Sequence, residues 1–201
     1  MIRLVTLGVA ILAFAGCASM NAPDPAIPDN VTLTPPAAYN QQFIDTVRFE
    51  EPIEVHRSPA RCVAEYVNNR AVTLSDSSSS FVGAFTGNYY QVNNSTESAG
   101  GQVLKYSDEK EVVAQGRETY TTTLLGVPIG NAVEFKLLVE LGEGVVRLKF
   151  SDVQHAQLDT GGAANSGFGP VGAWRGAGPV DAYHVMEGVA NKVMGCIGGA
   201  D

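Results

Sequence analysis

Apolar and polar residues alternate most clearly in the middle of the chain. Val133, Phe135, Leu137, Val139 and Leu141 share one side of a strand, and Val146, Leu148 and Phe150 share one side of the next. Glu134, Lys136 and Glu140, then Arg147, Lys149 and Ser151, take most of the opposite positions. With Gly142-Glu143-Gly144 as the connection, this pattern predicts an antiparallel hairpin with one buried and one wet face, hence a sheet covered on a single side. Upstream, "QVLKY" and "EVVAQGRETYTTTLL" read as further strands joined at Ser107-Asp108-Glu109-Lys110. "FIDTVRFE" reads as a half-buried strand with Phe43, Val47 and Phe49 on the parity of Asp45.

Two segments carry the helical period instead. In "SPARCVAEYVNNRA", Pro59, Cys62, Val63, Tyr66 and Val67 fall on one face, with Ser58 as N-cap and Pro59 at the first helical position, where its missing N–H costs nothing. In "VDAYHVMEGVANKVMGCIGG", Val185, Met186, Val189, Val193 and Cys196 lie close to one face, weakened by Gly188. The order is strand, helix, several strands, helix. That is an α+β class: an antiparallel sheet with two helices packed on one face.

Between these elements periodicity is lost. Residues 75–101 are rich in Ser, Gly and Asn, and their apolar words, Phe81 to Phe85 and Tyr89 to Val92, fit either a short strand or a folded loop. Residues 160–179 form a second Gly-rich stretch. From Ala18 to Asn40, prolines at 23, 25, 28, 35 and 36 prevent a helix or a central strand and predict an extended tether. At about 3.1 Å per residue, roughly 20 such residues would hold a domain up to about 60 Å from whatever holds their start.

The N-terminus adds a compartment. One basic residue, Arg3, precedes an apolar run from Leu4 to Ala15, too short to span a bilayer that needs roughly 20 residues. Such a segment ending in small residues reads as a secretory signal peptide. Phe14-Ala15-Gly16-Cys17 resembles the lipobox of bacterial lipoproteins, with Phe in place of the usual Leu. The resemblance implies cleavage before Cys17, a diacylglycerol thioether on its sulfur and acylation of the new amino terminus. Several acyl chains, at about 0.8 kcal/mol per buried methylene, make such an anchor effectively permanent. Ala18, where Asp would be a retention signal in some bacteria, implies the outer membrane and a periplasm-facing domain. The expected organisation is 1–16 signal peptide, 17–40 lipidated cysteine and tether, and 41–201 a single domain.

Charge and cysteine usage narrow the picture further. The 201-residue chain has 13 Lys plus Arg against 21 Asp plus Glu, a net charge of −8; loss of Arg3 with residues 1–16 makes it −9. An acidic chain with no basic block is a poor ligand for nucleic acid or anionic headgroups. Of three cysteines, Cys17 would be consumed by lipid, leaving Cys62 and Cys196 in a compartment that permits disulfides. Each sits on the apolar stripe of one predicted helix, which favours a bridge; the alternative is two buried free thiols.

Signals for catalysis are weak. His56, His155 and His184 lie far apart, without the spacing of a metal site, and no cofactor is implied. Ser151, Asp152 and His155 are close in sequence, but neighbours on a strand point to opposite faces, and no nucleophile elbow is present. Gly167, Gly169 and Gly172 match G-x-G-x-x-G only by spacing, with Pro170 inside and no preceding buried strand. Phe168, Trp174 and Arg175 are candidate partner-binding residues, because aromatics and Arg on loops are common anchors. The competing reading is that Trp174 folds back on the sheet edge or core.

The element pattern around "VVAQGRETY" and "VEFKLLVELGEGVVRLKFSDV" resembles an uncharacterised bacterial envelope domain family with a fold similar to the TATA-binding protein, over residues 43 to 197. The resemblance implies a β-α-β-β-β-α order and transfers no catalytic residues. The expectation is a non-enzymatic, lipid-anchored envelope protein that binds another envelope protein. A small-molecule or glycan binding module comes next, and a cell-wall hydrolase is a distant third.

Overall fold

The alternating residues of the central hairpin form the floor of the core. The computed structural model describes residues 21–200, so Cys17 and the lipobox lie outside the described residues. The strands are β1 (Val31–Leu33), β2 (Ile44–Glu51), β3 (Val72–Asp76), β4 (Phe81–Val82), β5 (Tyr89–Tyr90), β6 (Asn94–Ser98), β7 (Leu104–Ser107), β8 (Glu111–Leu124), β9 (Val127–Leu141), β10 (Val146–Gln157) and β11 (Gly169–Pro170). The helices are α1 (Pro59–Tyr66), between β2 and β3, and α2 (Pro179–Ile197), which closes the chain. One antiparallel sheet has the order β1-β2-β10-β9-β8-β7, with β11 paired to β10. Between the helices five strands join this sheet, the short β11 included, two more than the expected order allows. Residues 72–98 add two small antiparallel pairs, β3 with β6 and β4 with β5.

Both helices lie on one face of the sheet, as their stripes require. Phe135, Leu137, Leu148 and Phe150 are fully buried against Val63 of α1 and Met186, Val193 and Ile197 of α2. The Phe135 and Phe150 rings meet edge-to-face with centroids 5.0 Å apart. Gly116 on β8 makes room for them: a Cβ there would sit 2.2 Å from the Phe135 ring. Cys62 and Cys196 form a disulfide between the two stripes, with Cα atoms 5.7 Å apart. Both cysteines are buried.

The structure differs from the sequence pattern in three places. The register of β1 on β2 shifts so that Thr32 faces Thr46 while Leu33 faces Ile44. Asp45 is the extra residue of a bulge, which turns Ile44 inward and ends the simple parity that began at Phe43. Residues 23–40 do not stand off as a spacer. Pro23 bridges Trp174, Asp24 is buried and donates its N–H to the Ala173 carbonyl, and Val31 and Leu33 pack on the core as an edge strand. Three residues between prolines are too few to show a period, and an edge strand tolerates the prolines around it.

The third difference concerns the face opposite the helices, expected to be wet. There Arg117 on β8 and its cross-strand neighbour Glu134 on β9 form a buried ion pair. The guanidinium also donates to the carbonyls of Arg70, Ser98 and Ala99 and to the Ser98 hydroxyl, and it lies 5.1 Å from the Phe168 ring centroid. The β3–β6 ribbon is therefore fastened across the second face, where it buries Leu74 and the small residues Ala132 and Ala156.

Two stability predictions follow from these contacts. Replacing both disulfide cysteines by alanine lowers the unfolding free energy by about 2–4 kcal/mol. Replacing Arg117 with methionine leaves a carboxylate and three carbonyls without their donor and costs about 3–5 kcal/mol. Urea unfolding of the variants measures both, and an Arg117→Met change below about 1 kcal/mol would remove the organising role given to this residue.

Candidate functional site

The long β8–β9 hairpin continues past the end of β10 and past the start of α2. After the Tyr120–Asn131 rung it runs four more rungs, to Leu124 opposite Val127. Under this overhang lies a groove of about 450 Å³, open to solvent. Its floor is the core-facing side of the sheet, with Tyr120, Thr122, Asn131 and His155. Its wall is the start of α2, with Arg175, Gly178 and Asp181. Asn131 donates from Nδ2 to the Thr122 hydroxyl and to the Ile129 carbonyl, which holds the amide in place.

The groove holds two neutral titratable groups. Burial raises the Tyr120 pKa to about 12, with a smaller contribution from the Asp181 carboxylate, so its hydroxyl stays protonated. Burial lowers the pKa of His155 below its ordinary 6.5, which keeps the ring neutral near pH 7. Arg175 stands at the rim, its Nε 3.7 Å from Asp24 Oδ2. These groups offer hydrogen bonds at fixed positions and no activated nucleophile. Ser151 and His155 pair with Lys136 and Val133, positions of opposite parity on β9, and the backbone between them bulges at Asp152 with φ 52°. They therefore belong to opposite faces and form no relay. Among the described residues no three His, Cys, Asp or Glu side chains gather as a metal site.

The three residues singled out as partner anchors all have contacts inside the domain. Phe168 lies against Arg117. Trp174 meets Phe43 edge-to-face at 5.7 Å, and its ring fills the space a Cβ on Gly172 would need. This is the fold-back arrangement. Arg175 remains exposed and pairs with Asp24. Gly167, Gly169 and Gly172 serve a loop that turns around these rings and a two-residue edge strand, without a following helix at the spacing a dinucleotide motif needs.

The exposed aromatic residues lie elsewhere, in the insertion whose form the sequence left open. β4 and β5 make a small hairpin on which Phe81, Phe85, Tyr89 and Tyr90 are all solvent-exposed; Phe85 at its tip is wholly so. Phe81 and Tyr90 stack at 5.1 Å, and the Ser80 hydroxyl accepts the Val92 N–H at the base. Asp76 secures that base. It accepts from the Ser78 N–H and hydroxyl, Asn94 Nδ2 and the Asn165 N–H, which hold its carboxyl well below the usual range. The sequence signal for this surface is the run from Ser77 to Thr96, which has no charged residue but carries four aromatics.

A pH signature is expected from His155. Its folded-state pKa is lowered, so below pH 6.5 the unfolded chain binds a proton that the folded chain does not. Stability therefore falls as pH drops through this window. The lowered Asp76 pKa acts separately, since its contribution is lost only as pH falls below its ordinary 3.8. Chemical denaturation between pH 8 and pH 5 should show the decline, and His155→Gln should flatten it; an unchanged slope would mean that the imidazole is not desolvated.

The chain was compared with protein-family models, with curated proteins and with solved structures, and no match was found in any of the three.

Proposed function

We propose that this is a lipid-anchored envelope protein whose domain is a non-enzymatic binding module, with the β4–β5 hairpin as its contact for another envelope protein. The carrying observation is the aromatic cluster itself. Phe81, Phe85, Tyr89 and Tyr90 are exposed together on a short hairpin whose base is fixed by hydrogen bonds. Exposed aromatic clusters on rigid supports mark interaction sites, because such side chains bury large areas at little entropy cost. The lipobox at Phe14 to Cys17 supports the anchor, and the buried Cys62–Cys196 disulfide supports an oxidising compartment. The strand–helix–sheet–helix order supports a likeness to the TBP-like envelope domains. Fold alone is weak evidence for what is bound, and the acidic charge argues against DNA.

A second reading rests on the groove of Tyr120, Asn131, His155 and Arg175. Its neutral donors and acceptors, flanked by the charges of Arg175 and Asp181, suit a small polar ligand such as a glycan fragment.

A photo-reactive residue at Phe85 in intact cells, with Glu143 on the β9–β10 turn as control, separates the two readings. A discrete protein adduct at 85 and not at 143 supports the interaction module. No adduct at 85 from correctly exported protein overturns it, and ligand screening of the groove then takes precedence.

A further inference from the structure

The apolar tip of the β8–β9 hairpin is exposed and strained, and none of the described residues covers it. Leu124 and Val127 are each about three-fifths exposed and Leu125 is 97% exposed. Leu125 and Gly126 form a two-residue turn with φ of 51° and 83°, the primed geometry that favours Asn-Gly. A leucine held in the left-handed region costs about 1 kcal/mol relative to a residue suited to it. Here it gains no packing in return. The segment from Thr119 to Val133 contains no charged residue.

The position of the chain's start gives this tip an occupant. Leu124 and Arg175 line the same groove, Arg175 pairs with Asp24, and Asn21 donates to the Tyr39 carbonyl beside the start of β2. The register places that start level with the later half of β10, toward the hairpin tip. Only three residues separate Asn21 from Cys17, four Cα-to-Cα steps or at most about 14 Å of extended chain. The spacer that could have held the domain far from a membrane is instead laid along the domain from Pro23 onward.

We infer that Leu124, Leu125 and Val127 insert into the bilayer that holds the acylated Cys17, so that the domain stands tip-down on the membrane. This rests on the lipid anchor of the proposed function. The tip lacks charge, so insertion draws on apolar burial alone and needs no anionic lipid. It also fixes the height of the β4–β5 hairpin. Asn69, just before β3, bridges Arg117 of β8 and Ser75 of β3 bridges Asp159 just past β10, both in parallel, so the chain from 69 to 76 runs toward the hairpin-tip end and the insertion continues there. A protein partner of the aromatic hairpin is then one that also lies at the membrane surface.

The test uses the full chain, acylated in cells and reconstituted into phosphatidylcholine vesicles. With Cys17 acylated and the other cysteines bridged, Leu125→Cys provides a single thiol for an environment-sensitive fluorophore. Val127→Cys is the second variant, and Glu143→Cys, at the far end of β9, is the control. Apolar faces at interfaces sit ~5–10 Å into the headgroup–acyl boundary, so a nitroxide quencher in the upper acyl region should reduce emission at 125 and 127 by roughly half and leave 143 unchanged. Equal accessibility of all three sites, with Cys17 acylated by mass spectrometry, overturns the insertion and leaves the anchor standing. An unmodified Cys17 overturns both. Quenching that appears only when phosphatidylglycerol is added overturns insertion by apolar burial.

Discussion

Arg117 is the residue on which the second half of the architecture depends. The main core needs only the amphipathic hairpin and two helical stripes, but residues 69–101 have almost no apolar surface with which to hold their place. One guanidinium fastens the end where β3 begins and β6 finishes, its donors reaching β9 and the carbonyls of Arg70, Ser98 and Ala99, while backbone bonds of Ser75 and Ser77 to Leu158 and Gly161 hold the other end. Burying a charge is tolerable only where every donor is used and a counter-ion is in reach, and both conditions are met here. The result is a sheet with a hydrophobic core on one side and a polar fastening on the other. The aromatic hairpin is carried by the fastened side.

The parts legible in the sequence are those in which one periodicity runs long enough to leave a single physical solution. Five alternating apolar residues from Val133 to Leu141 can only face one core. The stripes carrying Cys62 and Cys196 can only meet on the sheet's covered side, so the disulfide followed from the same pattern. The bulge at Asp45 escaped because one extra residue reverses parity without changing composition. The long overhang of β8 and β9 escaped because Leu125-Gly126 does not resemble the Asn-Gly of a tight turn, so the two strands read as separate from the hairpin tip. The cover over the second face was illegible for a different reason. It depends on a buried arginine, and in a one-dimensional reading an arginine on the polar side of a strand is simply solvated.

Function was legible to a smaller degree. Tryptophan and arginine in a glycine-rich loop are a reasonable signal for a binding surface, but Trp174 has Phe43 and Gly172 as neighbours and closes the domain beside its own N-terminal segment. A second signal combined absent charge with large apolar residues: Ser77 to Thr96 and Thr119 to Val133 carry no charge, as do residues 30–44 and 160–174, but only in the first two does the structure leave several of those side chains exposed together. Absence of charge marks surface that avoids retaining water. In those two stretches it coincides with hairpins whose apolar side chains are exposed.

The bridge between Cys62 and Cys196 also imposes an order of events on biosynthesis. Its two halves are separated by 134 residues, and the second lies near the end of the last helix. The covalent loop cannot close until Cys196 has been synthesised and α2 has brought it to Cys62. A chain truncated before α2 would keep Cys62 as an unmatched thiol beside an uncovered sheet. It would be distinguishable from the finished molecule by chemistry as well as by shape.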